Sequence, residues 1–338
     1  MTQPVALGLV GLGGHGRAIQ DAVARVPELR VAAVYDPDET EARAAVGRFG
    51  CPAAPSFEAL LAGPLDAVAL VTPNALHRPQ AEAAIAAGLD VFVEKPIANT
   101  VADGHAMIRA AERAGCVLMV GHNMRYGGAA REAKRLLDRG ETGEVVSVEV
   151  HFSADNVQKG TYEGWRFRPA ECPLLPMMQL GIHAVDLVQY LVGPVGEVVA
   201  RARTVLAPPG VADNVTGLLV FESGVVGTAV SNYCTPDVFE VRLAGTAGVL
   251  AFSWIPHRLV VLPRGHRTPA PVVHDFSGDA GGGLSEELTA FAVAVRERQA
   301  PETDGWTALR ALAVVEAMSQ SAEAPIGTKL SLPTSVRG

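Results

Sequence analysis

The sequence predicts an α/β fold: a doubly wound parallel sheet over the first part of the chain, then a β-rich α+β region. Three observations predict it. Residues 5 to 36, VALGLVGLGGHGRAIQDAVARVPELRVAAVYD, run from an apolar stretch through Gly11-x-Gly13-x-x-Gly16 and an amphipathic stretch to a second apolar stretch ending at Asp36. Short apolar runs then alternate with helical periodicity as far as His122. Beyond Tyr126 the alternation gives way to successive strand-like segments, which a parallel βαβ fold does not use.

The opening unit is strand, glycine turn, helix, strand and acid. Gly11 permits the tight turn, Gly13 lets the backbone approach a pyrophosphate, Gly16 allows close helix packing, and the helix N-terminus faces the anion. Leu12, Gly14 and His15 complete the loop. In a chain with 35 glycines the motif alone says little, but two flanking strands and an acid 20 residues after Gly16 make it a dinucleotide-binding signature. A carboxylate at Asp36 accepts hydrogen bonds from a ribose hydroxyl and repels a 2′-phosphate. No Arg or Lys follows until Arg43, so NAD is expected as cofactor and NADP is disfavoured. Asp38 stands where it would cap the next helix, ETEARAAVGRFG.

The alternation continues with strands at 66 to 71, 90 to 96 and 117 to 122 and helices at about 76 to 87 and 101 to 114. Ligands of such sheets bind at the carboxyl ends of the strands, which here carry Asp36, Thr72-Pro73-Asn74, Glu94-Lys95-Pro96 and Gly121-His122-Asn123. A helix near 128 to 139 leads into strands at 145 to 153, 197 to 205 and a hairpin over 217 to 233 that turns at Glu222-Ser223-Gly224. Two helices, at about 284 to 299 and 306 to 322, complete the pattern. The expected domains are residues 1–123, binding the dinucleotide, and 124–338, binding substrate.

Composition bounds the function. With 338 residues, 49% hydrophobic and 19% charged, the chain has the makings of two well-cored domains. A net charge of −8 and the lack of a long basic run exclude a nucleic-acid footprint. No apolar run approaches the roughly 18 residues of a membrane span, and the N-terminus enters a strand without a leader pattern, so no membrane partner and a cytoplasmic location are expected. Cys51, Cys116, Cys172 and Cys234 lie far apart without CxxC spacing, which gives no support to a zinc site or a disulfide framework.

The chain resembles the Gfo/Idh/MocA oxidoreductases, which include glucose-fructose oxidoreductase and inositol 2-dehydrogenase. The resemblance covers nearly the whole chain and rests on VGLGGHG with Asp36, TPNALH at 72 to 77, EKP at 94 to 96, GHNMRY at 121 to 126, GWR at 164 to 166 and QLGIHAVD at 179 to 186. GTAG at 245 to 248 and DGWTALRALAVVEAMSQS add to it. It implies an N-terminal Rossmann domain and a C-terminal α+β domain with an open, mostly antiparallel sheet, the active site between them. It further implies a homodimer or homotetramer formed through a face of the second sheet.

The chemistry of an NAD(P)-dependent dehydrogenase acting on CH–OH groups needs a nicotinamide against a substrate C–H, a group to exchange the hydroxyl proton, and polar groups that fix the substrate. His183 is the leading proton acceptor and donor, since imidazole titrates near neutral pH; its bland alternative is a satisfied helix histidine. Asp186, one turn on, either orients that imidazole or faces solvent. The two are alternatively metal ligands, but no third ligand is identifiable and no metal is expected. The resemblance implies that Lys95 lies beside the nicotinamide and steadies a developing alkoxide, that Glu94 binds the nicotinamide ribose, and that the Lys95-Pro96 bond is cis. Thr72, Pro73, Asn74, His77 and Asn123 would line the cofactor channel, Asn74 and His77 being alternatively helix-start residues.

One position departs from the family pattern. Members usually carry Asp-x-Gly-x-His, whereas this chain reads Pro176-Met177-Met178-Gln179-Leu180-Gly181-Ile182-His183, with Gln179 at the acid's place. An amide bonds to a sugar hydroxyl but holds no negative charge beside an imidazolium. Arg125, Trp165, Arg166, Gln179 and Tyr233 are the further substrate-pocket candidates, since sugars offer hydroxyls to Arg and apolar faces to rings; His151, Asp155 and Asn156 are weaker ones. The expected function is NAD-dependent hydride transfer on a sugar, cyclitol or related polyhydroxy compound. The alternatives are a family member that binds NAD without redox turnover, as a sensor or regulatory partner, and a glycoside hydrolase that recycles bound NAD.

Overall fold

The computed structural model describes residues 3–155, 164–254, 257–265, 270–279, 282–325 and 330–332. The chain folds into two units, residues 1–123 with 283–309 and residues 124–282 with 310–338.

The first unit is built on a five-stranded parallel sheet. Its strands are β1 (Val5–Val10), β2 (Leu29–Tyr35), β3 (Ala67–Leu70), β4 (Asp90–Glu94) and β5 (Leu118–Gly121), in the order β2-β1-β3-β4-β5. Five helices fall between them: α1 (His15–Val23), α2 (Glu39–Phe49), α3 (Phe57–Leu61), α4 (Asn74–Ala86) and α5 (Val101–Ala114). β1, β3 and β4 are buried at every residue, which is why they read as unbroken apolar runs rather than alternating ones. The strand order reverses at β1, where β2 lies on one side and β3 on the other, and this is the switch point at which such sheets open a crevice.

Helix ends follow their signals. Asp38 caps α2, accepting a hydrogen bond from Thr40 N–H at 2.8 Å, and Gly50 closes the helix in the left-handed region. Thr100 and Gly115 do the same for α5, whose limits are those the pattern predicts. α4 begins at Asn74, two residues ahead of the start predicted for it.

The second unit opens with α6 (Gly128–Asp138) and β6 (Val145–Ser153), followed after a short π-helix (Met177–Gly181) by α7 (Ile182–Val192). The strands β7 (Val195–Arg203), β8 (Asn214–Phe221), β9 (Val226–Asn232), β10 (Val238–Gly245), β11 (Gly248–Trp254), β12 (His257–Pro263) and β13 (Val272–Asp275) come next. The chain ends on α8 (Leu284–Glu297), α9 (Gly305–Glu323) and β14 (Leu330–Ser331), and α8 lies within the first unit. The nine strands of the second sheet run β13-β12-β11-β10-β6-β9-β8-β7-β14, antiparallel throughout except for β6 beside β9. The hairpin of β8 and β9 turns at Glu222-Ser223-Gly224 as expected, Gly224 taking a φ of +88 that suits glycine.

Each unit has its own core. In the first, Phe92 of β4 meets Phe291 of α8 edge to face at 5.7 Å between centroids, both rings fully buried. In the second, Val148, Val150 and Phe152 on one face of β6 are buried with Val185 and Val188 of α7. Burying one such side chain contributes about 1.5 to 3 kcal/mol. No helix among the described residues is long and apolar enough to cross a membrane.

Candidate active site

The glycine turn joins β1 to α1 at the switch point. Gly11 has a φ of +85, and a Cβ there would fall onto the Val71 carbonyl just beyond β3, so only glycine lets the two strand ends lie this close. A Cβ on Gly16 would strike the Gly11 carbonyl, which explains the third glycine. Gly14 is exposed, with nothing within 4 Å of the place a Cβ would take, and it precedes α1 without any side-chain cap. The turn therefore presents bare backbone at a helix N-terminus, which fits a pyrophosphate. Gln20 of α1 reaches back and donates to Leu12 C=O at 2.9 Å, tying the turn to its helix.

Asp36 follows β2. Its Oδ2 accepts from Leu12 N–H at 2.7 Å and its Oδ1 from Asp38 N–H at 2.8 Å, so the carboxylate is fixed beside the glycine turn before any ribose arrives. Each oxygen retains a lone pair for a ribose hydroxyl.

β4 delivers Glu94, Lys95 and Pro96, and the Lys95-Pro96 bond is cis, as the resemblance implies. Glu94 is 5% exposed, and its Oε1 lies 3.2 Å from His15 Nε2 of the glycine turn. Burial alone would raise this carboxyl, but the charges of His15, Lys95 and His77 hold it below the usual carboxylate range. Gly121 at the end of β5 leaves room for the same carboxylate, since a Cβ there would come within 2.9 Å of Oε1. Thr72 and Pro73 are half-buried after β3, and Thr72 donates to Gln80 Oε1 at 2.6 Å. Asn123 is half-buried and opens the short 3-10 helix Asn123–Tyr126.

His77 joins two of these loops. It is fully buried in the first turn of α4, with Nδ1 2.8 Å from Pro96 C=O and Nε2 2.9 Å from Thr72 C=O. Burial pushes its imidazole below the ordinary value, against the pull of the two carbonyls. It ties the loop after β3 to the loop after β4. Asn74, 3% exposed, is likewise a helix-start residue.

In the second unit, Gln179 lies in the π-helix and His183 in the first turn of α7, four residues on. Gln179 is buried and His183 half-buried. The π-helix packs tightly: a Cβ on Gly181 would land on the Met177 thioether, and Ser231 Oγ of β9 donates to Pro176 C=O at 3.0 Å. Met177 and Met178 are core residues, 0% and 2% exposed.

Arg125 and Asp186 form a buried pair. Asp186 does not face solvent: its side chain is 2% exposed, and Oδ2 and Oδ1 accept from Arg125 Nε and a terminal nitrogen at 2.6 and 2.7 Å. The Arg125 guanidinium lies over the Tyr190 ring at 5.2 Å. With its edge on Asp186 and its face on Tyr190, Arg125 braces α7. Tyr233 is 5% exposed just after β9. Trp165 is half-buried, with the exposed Arg166 guanidinium 4.4 Å above its ring. His151 bonds to Ser153 Oγ at 2.8 Å and Asp155 N–H donates to Asp237, while Asn156 falls outside the described residues. Among the described residues, no group of three or more His, Cys, Asp and Glu is arranged to hold a metal ion.

Two side chains beside the glycine turn carry no signal in the motif. Arg17 of α1 and Glu41 of α2 form an ion pair there, from positions 24 residues apart that only the folded βαβ unit brings together.

Comparison with known proteins matches residues 5–122 to the family "Oxidoreductase family, NAD-binding Rossmann fold" and residues 130–251 to the "GFO/IDH/MocA C-terminal domain". The chain belongs to the Gfo/Idh/MocA oxidoreductases. It is 30% identical to D-xylose 1-dehydrogenase (NADP(+)) 2 of Haloferax volcanii over 335 residues, covering 96% of this chain and 99% of that one. It is 25% identical to scyllo-inositol 2-dehydrogenase (NAD(+)) of Bacillus subtilis over 315 residues, covering 89% of each. Among solved structures, aldose-aldose oxidoreductase from Caulobacter crescentus, complexed with glycerol, superposes with a TM-score of 0.88 at 26% identity, covering 97% of this chain and 100% of that one.

Proposed function

We propose that the chain is an NAD-dependent dehydrogenase that moves hydride between nicotinamide and a hydroxyl carbon of a sugar, cyclitol or related polyhydroxy compound. The observation that carries the cofactor half is the uncapped glycine turn at the sheet's switch point, with the Asp36 carboxylate anchored on Leu12 N–H. Relatives named for xylose and inositol support the substrate class, and they include both an NADP and an NAD enzyme, so the choice of NAD rests on Asp36.

When bound, the dinucleotide supplies the hydride acceptor or donor. The protein supplies the rest. Gly11, Leu12, Gly13, Gly14, His15 and Gly16 offer backbone to the pyrophosphate, and Asp36 takes the adenosine ribose. Thr72, Pro73, Glu94 and Asn123 flank the nicotinamide half, with His77 and Asn74 setting the loops from behind. His183 Nε2 takes the hydroxyl proton in oxidation and returns it in reduction, and the Lys95 ammonium steadies the oxygen as its charge grows. Gln179 gives the substrate a neutral amide where a carboxylate is usual. Trp165, Arg166 and Tyr233 complete the substrate side. The enzyme works in the cytoplasm and assembles as a homodimer or homotetramer, the assembly being supported by Leu218 of β8 and Val226 of β9, 41% and 42% exposed on one face of the second sheet. A monomer by analytical ultracentrifugation at micromolar concentration would contradict the assembly.

The test of the reaction is a panel of aldoses, cyclitols and glycosides incubated with NAD, followed by the absorbance of reduced nicotinamide. Wild type is expected to reduce NAD with at least one polyol, and His183→Ala to turn over about 10² to 10⁴ times more slowly while binding NADH as wild type does. Turnover unaffected by His183→Ala removes the assignment of the base. Product from a glycoside without accumulated NADH favours the hydrolase instead.

A further inference from the structure

The ion pair beside the glycine turn has no part in the motif itself. Arg17, third residue of α1, donates from Nε to Glu41 Oε2 at 3.2 Å and from a terminal nitrogen to Oε1. Glu41 is the third residue of α2, so the pair joins the first turns of the helices that follow β1 and β2. The Arg17 side chain is 67% exposed and that of Glu41 20%, so the carboxylate lies inward and the cation outside it. Glu41 is also the neighbour of Gly13, the glycine at which backbone and pyrophosphate approach most closely. A Cβ built on Gly13 would meet Cδ, Cγ and Oε1 of Glu41, each at 3.7 Å. Asp36 reaches the adjoining residue, Leu12, from the end of β2. Two carboxylates therefore converge on Leu12 and Gly13, and one of the two holds Arg17.

An ion pair this exposed adds little to stability, which does not account for its placement. Its electrostatic consequence is larger. While Glu41 holds Arg17, the pair is neutral and Asp36 leaves the ribose end of the site negative. If Glu41 loses its charge, Arg17 in the first turn of α1 keeps only Asp38 as an anionic neighbour and its guanidinium fork is freed from its ion pair, the kind of group that grips phosphate bidentately.

We infer that Glu41 is a second determinant of cofactor choice, which keeps Arg17 away from a 2′-phosphate and adds its own repulsion to that of Asp36. The inference rests on the reading that the glycine turn holds a dinucleotide with its ribose at Asp36. Arg17 and Glu41 take no part in hydride transfer; they act on which nucleotide is admitted.

Calorimetric titration of wild type, Glu41→Gln, Arg17→Ala and the double variant with NADH and NADPH tests it. In Glu41→Gln, NADPH binding is expected to tighten about tenfold, with NADH changed by less than about threefold. The double variant is expected to lose the NADPH gain, and Arg17→Ala, which leaves the Glu41 charge unpaired, to weaken NADPH further. A Glu41→Gln variant whose NADPH-to-NADH ratio equals that of wild type, or a gain that survives in the double variant, overturns the inference while leaving dinucleotide binding intact. Wild type preferring NADPH overturns it as well. Wild type that binds neither nucleotide overturns the reading on which it rests.

Discussion

Glu94 shows how much one side chain carries in this fold. Its carboxylate is nearly buried, yet held ionised chiefly by His15 and Lys95, so its folded pKa lies below the unfolded one. A carboxyl depressed in this way adds stability above the unfolded value, about 4.3, and that stability is lost as pH falls through the lower folded value. Glu94→Gln should therefore cost about 1 to 3 kcal/mol at pH 7 and less at pH 4, as urea denaturation at the two pH values would show; equal losses at both would mean that the charge contributes nothing. The EKP block made Glu94 and Lys95 legible as site residues. Its partner His15 was legible only as a member of the glycine loop, and Arg17 with Glu41 not at all, because contacts 79 and 24 residues apart belong to the fold and not to local spacing. Arg125 shows the converse: a residue type suited to sugars is also the partner of Asp186 61 residues on, a contact that local spacing does not show.

Among helices and strands, legibility tracked how far local chemistry decides the outcome. α5 begins and ends as predicted because Thr100 and Gly115 are strong punctuation. β10 to β13 were not delineated: they form one flank of the second sheet, ending at the edge strand β13, where Val272 and Val273 are 52% and 55% exposed, so their burial leaves a weak alternation. The π-helix before α7 has no sequence signal, since the register of Met177–Gly181 is set by packing on Ser231 and β9. The glycine turn is the element whose sequence and geometry agree most closely, and it yields a graded prediction. Gly11→Ala places a methyl on the Val71 carbonyl at a φ of +85 and should cost about 1 to 3 kcal/mol of stability together with NADH binding. Gly14→Ala meets open space, so it should cost only the strain of its φ of +49 and ψ of −118, without the added clash that Gly11→Ala meets. Thermal denaturation and NADH titration of the two variants would check the order, and a Gly14→Ala loss equal to that of Gly11→Ala would contradict it.

Across the molecule, composition, the βαβ alternation and the run of motif blocks were enough to read a parallel nucleotide-binding sheet followed by a mostly antiparallel one, and both are present. What the sequence pattern did not reveal is that residues 283–309 return to the first unit after β13, before β14 completes the second sheet, because Phe291 reads as an ordinary helix residue until its contact with Phe92 is seen. Everything proposed for the site depends on this scaffold holding NAD at Gly11–Gly16 and Asp36. The decisive experiment is calorimetric titration of the purified protein with NADH and with NADPH, after any nucleotide carried through purification has been removed. One site per chain should bind NADH tightly and NADPH at least about tenfold more weakly; binding of neither nucleotide, or a preference for NADPH, would refute the assignment.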